Sequence, residues 1–136
     1  MSRSGYSDDC ENLELWRAAV NRAIRGARGQ HFLRKLMAAL DAMPVKRLIT
    51  NEIANEHGEV CVLGAVDPNT TIDPEDREAV ARNFGIAPTM AAEIVYMNDE
   101  WRRHETPEDR WTRMRAWVEE QILPDDDSQR APKESR

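Results

Sequence analysis

The side chains with the most reactive chemistry in this sequence are two cysteines and three histidines. Cys61 follows His57 by four positions, so a thiol activated by an imidazole is one hypothesis. Gly58 interrupts the segment between them, and cysteine is also common as a small buried apolar residue. No pair of these residues has the short spacing of a structural zinc site. The sequence therefore predicts no catalytic residue, no metal, no cofactor and no enzyme activity.

Charged residues form two further candidate sites of opposite sign. Residues 17–47 contain eight basic residues and one acidic residue, whereas residues 48–136 contain ten basic and twenty acidic residues. Such segregation is either ordinary solvated surface or a dipolar surface that steers a charged partner. The candidate basic site comprises Arg17, Arg22, Arg25, Arg28, Arg34 and Lys35, and the candidate acidic site comprises Asp99, Glu100, Glu105 and Asp109.

The elements that must position these residues are helical by their apolar spacing. Leu13, Trp16, Val20, Ala23 and Ile24 form one helical stripe that ends at Gly26. After Gly29, a second helix is predicted from Phe32 to Met43, and Pro44 then begins a third with the stripe Val45, Leu48, Ile49 and Ile53, ending at Gly58. Further helix starts are predicted at Asp73-Pro74, at Pro88 and at Thr106-Pro107.

The apolar run over residues 58–66 (GEVCVLGAV) is the predicted centre of the core. Continuous apolar stretches occur both as buried strands and as buried helices. A helix is favoured here because no other segment alternates with the period of a strand partner, although a strand stays open as the alternative. The predicted fold is an all-α, compact single-domain bundle of about six helices around this segment.

Domain boundaries follow from composition. Residues 1–8 are predicted to be a flexible tail, residues 9–123 a single helical domain, and residues 124–136 a disordered charged tail. No run of residues has the length and apolarity of a membrane span or a signal peptide, and the cysteine usage is typical of a reducing compartment. A cytoplasmic protein without a membrane partner is expected. The sequence does not choose between a monomer and a dimer.

Five segments of the chain resemble a family of small uncharacterised proteins of tailed phages and prophages of Gram-negative bacteria. They are residues 1–9 (MSRSGYSDD), 23–30 (AIRGARGQ), 61–66 (CVLGAV), 96–100 (YMNDE) and 106–111 (TPEDRW). The family carries no assigned activity, so the resemblance implies an origin and a shared core but no catalytic residues. It implies a cytoplasmic location in a bacterial host.

Two functions are compatible with this origin and with the charge distribution. The first is a binding protein that engages a host protein, as an inhibitor of a host defence system of the anti-CRISPR or nuclease-inhibitor type. The alternative is a nucleic-acid-associated accessory protein that uses the basic surface of residues 17–47.

Overall fold

A computed structural model describes residues 13–102 and 104–124 of the chain, and six helices lie in these residues. The predicted tail over residues 1–8 and all but the first residue of the predicted tail over residues 124–136 lie outside the described residues. The helices are α1 (Leu13–Arg25), α2 (Ala27–Ala42), α3 (Val62–Val66), α4 (Arg77–Phe84), α5 (Pro88–Asp99) and α6 (Pro107–Gln121). The prediction of an all-α single-domain bundle is confirmed. None of the helices in the described residues combines the length and apolarity needed to cross a membrane.

Helix α5 lies at the middle of the bundle. It packs against α1, α3, α4 and α6, while α2 packs against α1, α3 and α6. Most of its side chains are buried, including Met90 and Ile94, which are fully inaccessible to solvent. The predicted starts of α5 at Pro88 and of α6 at Thr106-Pro107 are confirmed, and Thr106 caps α6 by accepting a hydrogen bond from the Asp109 backbone N–H at 3.0 Å.

Helices α1 and α2 are separated by Gly26 alone and contact each other closely at this turn. The predicted α1 stripe is confirmed from Trp16 to Ile24, since Val20 and Ile24 are buried and Trp16 and Ala23 pack beside them. The side chain of Leu13 lies outside the described part of the structure. The predicted break at Gly29 is wrong, because Gly29 is a buried residue within α2. A Cβ at this position would overlap the carbonyl oxygen of Ala23. The glycine therefore permits close approach of the two helices, and the chain turns at Gly26 alone.

The predicted helix over residues 44–57 is wrong. This segment is irregular, with one isolated antiparallel bridge between Ala54 and Val60 and a positive φ of 74° at Asn51. Its apolar residues Leu48 and Ile53 are buried as the spacing suggested. The backbone, however, finds its hydrogen-bond partners in other elements, so local helical spacing is overridden by tertiary contacts.

Two buried side chains satisfy the backbone of this irregular segment. Arg110 of α6 donates to the Leu48 carbonyl at 2.9 Å, and Asn98 of α5 donates to the Ile49 carbonyl at 3.0 Å. The Leu48 N–H donates in turn to the carbonyl of Pro107 at 3.1 Å. These bonds fix residues 48 and 49 against α5 and α6 without any helix of their own.

The central apolar run is part bridge and part helix. Val60 forms the bridge to Ala54, and residues 62–66 form α3, so the favoured helix is confirmed for the second half of the run. The side chain of Cys61, the N-cap residue of α3, forms no capping hydrogen bond. Instead, Asn98 Oδ1 accepts a hydrogen bond from the Val62 N–H at 3.2 Å, which caps α3 from α5.

Helix α4 begins three residues later than predicted. Asp73 accepts a hydrogen bond from the Glu75 N–H and forms a turn, so the predicted start at Asp73-Pro74 is wrong. Asp76 is the N-cap and accepts from the Ala79 N–H at 3.1 Å. The helix ends as predicted at Gly85, whose φ of 72° lies in the left-handed region that glycine tolerates.

Candidate functional site

A groove lies between α2 and the C-terminal end of α4. It encloses about 500 Å³ and is open to solvent. Residues from both helices line it: Ala27, Arg28, His31, Phe32, Lys35, Arg82, Asn83, Phe84 and Gly85. We refer to this feature as the α2–α4 groove.

The lining of the α2–α4 groove is positively charged. Arg28, Lys35 and Arg82 are cationic and exposed, and among the described residues no acidic side chain lines the groove. Within the described residues, none of these three side chains forms a hydrogen bond or an ion pair. Three uncompensated charges at one groove therefore produce a local positive potential on a chain whose formal net charge is −6.

Helical geometry explains why the α2 residues face the same groove. Arg28, His31 and Lys35 are spaced by three and four positions, which places them on one face over two turns, about 10 Å of helix. Arg28 also lies in the first turn of α2, where no side chain caps the helix. The positive end of the α2 dipole thus adds to the charge of the side chains.

A second hollow adjoins the groove on the α1 side. It encloses about 270 Å³, and its lining contains Arg22 from α1 and shares Ala27 and Arg28 with the α2–α4 groove. None of the described residues that line this hollow is acidic. Arg22 is exposed and, like Arg25 in the same last turn of α1, has no hydrogen-bond or ion-pair partner in the described residues. The basic surface therefore continues from the groove onto α1.

Two of the predicted basic residues have structural partners instead. Arg17 donates to Glu93 at 2.9 Å, and the Glu93 side chain is 5% exposed, so the pair joins α1 to α5. Arg34 donates to the Leu123 carbonyl at 2.9 Å and holds the end of the described chain against α2. The structure thus brings Arg22, Arg28 and Lys35 to the groove and its adjoining hollow, whereas Arg17 and Arg34 have other partners. Arg25 is exposed in the last turn of α1 but lines neither feature.

Glu105, a member of the candidate acidic site, is engaged inside the protein. Its side chain is 2% exposed and forms two short contacts with Arg113, at 2.7 and 2.9 Å, and a longer one with Arg110 at 3.5 Å. Burial alone would raise the pKa of this carboxyl, but Arg113 and Arg110 outweigh it and hold the pKa below its usual value. Glu105 is therefore an ionised structural residue of the α6 start.

The other acidic candidates do not form one surface group. Asp99 accepts from the Asn98 side chain at 2.6 Å and from the Asn51 N–H at 3.4 Å. Glu100 is the partly exposed residue that follows α5, and Asp109 is exposed in the first turn of α6, where its charge suits the helix dipole. Asp99 has a local structural role, and Asp109 remains accessible.

The thiol hypothesis is not supported by the position of Cys61. Burial raises the pKa of the Cys61 thiol to about 12, so the thiol is protonated at neutral pH. His57 is exposed and contacts the neighbouring Glu56 at 3.6 Å. Within the described residues, no three His, Cys, Asp or Glu side chains are grouped to hold a metal ion.

Sequence reasoning missed two residues of the groove. Arg82 belongs to the segment that is acidic by count, and only the fold places it beside α2. Phe84 was expected to face inward, and it does contact Phe32, but it is only partly buried and also lines the groove. The signal available in the sequence was weak, since neither residue is close in the chain to the basic segment.

Comparison of the chain with protein-family models, with curated proteins and with solved structures gives no match.

Proposed function

We propose that this chain is a non-enzymatic accessory protein that binds nucleic acid through the α2–α4 groove and the adjoining basic surface of α1. The observation that supports the proposal is the set of cations Arg28, Lys35 and Arg82 around one groove, which have no partner and no acidic neighbour in the groove lining within the described part of the chain. Elsewhere in the described chain, arginines commonly contact carboxylates, as Arg113 and Arg115 do. Cations without a carboxylate partner in the described chain are available to bind an anion of another molecule.

The phosphate backbone is the anion that best fits this surface. Cations repeated along two turns of α2, with Arg82 opposite, offer several contacts to a repeating charge rather than one contact to a single carboxylate. Arg22 extends the same surface beyond the groove. The net charge of −6 opposes nonspecific adsorption at a distance, so binding depends on this local surface.

The proposed biological setting follows the sequence resemblance. A phage or prophage protein in the cytoplasm of a bacterial host meets both phage and host nucleic acid. That origin stays a prediction.

Equilibrium titration of a fluorescein-labelled oligonucleotide, followed by anisotropy at 100 mM salt, tests the proposal. Lys35→Gln and Arg82→Gln each remove one charge from the groove, and we expect each to weaken binding about tenfold, the equivalent of one charge-assisted contact of about 1.4 kcal/mol. Arg102→Gln removes the same charge from an exposed position outside the groove lining and is the matched control. Equal losses for all three variants would contradict a specific role of the groove.

A second candidate function, engagement of a host protein such as a defence complex or nuclease, is favoured by one observation. Trp101 is 55% exposed and lies edge-to-face against Tyr96 at 6.1 Å, beside Glu100. Exposed tryptophans held by a neighbouring ring are typical anchors of protein interfaces. This surface is distinct from the α2–α4 groove, so the two functions can be separated by mutation.

Affinity capture from host lysate, with and without nuclease, distinguishes the two candidates. A stoichiometric host protein that survives nuclease and is lost with Trp101→Ala, but not with Lys35→Gln, would support the host-protein function. Companions lost after nuclease and with Lys35→Gln would support the nucleic-acid function.

A further inference from the structure

The α2–α4 groove contains an aromatic ring among its cations. Phe84 is the last residue of α4, is partly buried, and meets Phe32 edge-to-face with ring centroids 5.7 Å apart and an interplanar angle of 67°. Phe32 is almost fully buried at 2% exposure, so Phe84 is the ring that remains partly accessible in the groove. The groove therefore combines positive charge with an apolar π surface.

Resting on the proposed function, we infer that the groove binds single-stranded nucleic acid, with one unpaired base against Phe84 and the flanking phosphates on Arg28, Lys35 and Arg82. Stacking of bases on aromatic side chains within a basic groove is the general means of binding single strands without sequence preference. A volume of about 500 Å³ falls in the range of pockets that hold one small organic group, which suits a nucleotide.

The position of the ring argues against a duplex as the occupant. In a duplex the faces of the bases are covered by their neighbours, and only base edges and the backbone are accessible in the grooves. Phe84 has no polar atom with which to read a base edge. A stacking contribution from Phe84 requires an unstacked base, whereas the cations alone can bind the phosphates of a single strand or of a duplex.

The backbone around Phe84 supports a fixed ring position. Gly85 takes the left-handed conformation that ends α4, and its N–H donates to the Ala81 carbonyl at 2.8 Å. The edge contact with Phe32 then orients Phe84 from the side of α2. The ring is thus held by both walls of the groove before any ligand binds, which lowers the ordering cost of stacking.

Anisotropy titration with a labelled 20-nucleotide single strand and the matching duplex tests the inference. Phe84→Leu keeps an apolar side chain against Phe32 but removes the π face, and we expect about tenfold weaker single-strand binding. Duplex affinity and the salt dependence should not change, because no charge is removed. Phe84→Tyr keeps the ring and should bind the single strand like the wild type. Thermal unfolding of each variant checks that the fold is intact.

The outcomes separate this inference from the proposed function. If Lys35→Gln weakens single-strand binding and a folded Phe84→Leu does not, the stacking inference is overturned and the basic groove stands. Tighter binding of the duplex than of the single strand also overturns the inference. If the wild type retains neither oligonucleotide, both the inference and the proposed function are overturned, and an acidic protein partner becomes the occupant to test.

Discussion

Substitution of Asn98 tests the hydrogen bonds that replace the predicted helix over residues 44–57. Asn98 is 2% exposed, caps α3 through the Val62 N–H at 3.2 Å and donates to the Ile49 carbonyl at 3.0 Å. Asn98→Ala leaves these two backbone groups without a partner in the interior. An unsatisfied buried group costs about 1–3 kcal/mol, so we expect the free energy of unfolding to fall by roughly 3 kcal/mol.

Urea unfolding followed by tryptophan fluorescence and circular dichroism measures this change. For a chain of this size, roughly 3 kcal/mol corresponds to a decrease in Tm of about 10 °C. Asn98→Leu, which keeps side-chain volume, should be similarly destabilised, because the cost arises from the unpaired backbone groups rather than from a cavity. Asn83→Ala is the matched control, since Asn83 is exposed and makes one long contact with Asp67 at 3.3 Å.

If the free energy of unfolding of Asn98→Ala lay within about 0.5 kcal/mol of the wild type, the range expected for the Asn83 control, the proposed energetic role of the two hydrogen bonds would be wrong. A loss in Asn98→Ala that Asn98→Leu fully restored would also contradict it, because packing and not hydrogen bonding would then be the cause.

Three further predictions concern the interior. Because the folded pKa of Glu105 is lowered, its contribution to stability is present above the unfolded pKa of about 4.3 and is lost as the pH falls through the folded pKa. Glu105→Gln should cost about 3 kcal/mol at pH 7, as expected for a broken buried ion pair, and the cost should decrease as the pH is lowered toward 3 in urea unfolding. Gly64→Ala should lower the free energy of unfolding by about 2 kcal/mol or more, because the new Cβ would overlap the Ile53 carbonyl oxygen. Gly26→Ala is the control: its Cβ would meet only ordinary contacts, so the loss in the same assay should be under about 1 kcal/mol. In a Cys10→Ser variant, Cys61 should resist iodoacetamide at pH 8 until the protein is unfolded, as followed by mass spectrometry.

Each of these predictions has a contradicting result. Equal effects of Glu105→Gln at pH 7 and pH 3 would contradict an ionised buried carboxylate. Stability of Gly64→Ala equal to that of Gly26→Ala would contradict the close approach of α3 to the preceding loop. Alkylation of Cys61 at the rate of the unfolded chain would contradict its burial.

The helices that the sequence predicted correctly are those whose signals are local. Pro107 with Thr106 before it, and Pro88 at the first position of α5, determine helix starts within a few residues, and both starts are confirmed. The apolar stripe of α1 is likewise confirmed because its period alone identifies the buried face.

The errors arise where distant residues decide the structure. Leu48 and Ile53 have helical spacing and are buried, but Asn98 and Arg110 supply the hydrogen bonds that a helix would have made for itself. Glycine is a common signal for the end of a helix, yet Gly29 lies within α2 and permits its close contact with α1. Neither effect can be read from spacing within one segment.

The candidate site was only partly predictable, because distant residues also decide which cations are paired and which line the groove. The sequence identified Arg28 and Lys35 through the basic composition of α2. It also included Arg17, whose partner Glu93 lies 76 positions away, and it omitted Arg82, which the fold brings to the groove from α4. Charge counts along a chain do not distinguish a paired cation from an unpaired one.

The salt dependence of oligonucleotide binding tests the central claim most directly. With Arg28, Lys35 and Arg82 on phosphates, log K for a 20-nucleotide single strand should fall with log salt at a slope of about −2, and Lys35→Gln/Arg82→Gln should reduce the magnitude of that slope by about 1.4. Arg102→Gln should leave the slope unchanged. No retention of the oligonucleotide at 50 mM salt, or an identical slope in the double variant, would contradict the claim that these unpaired cations form a nucleic-acid site.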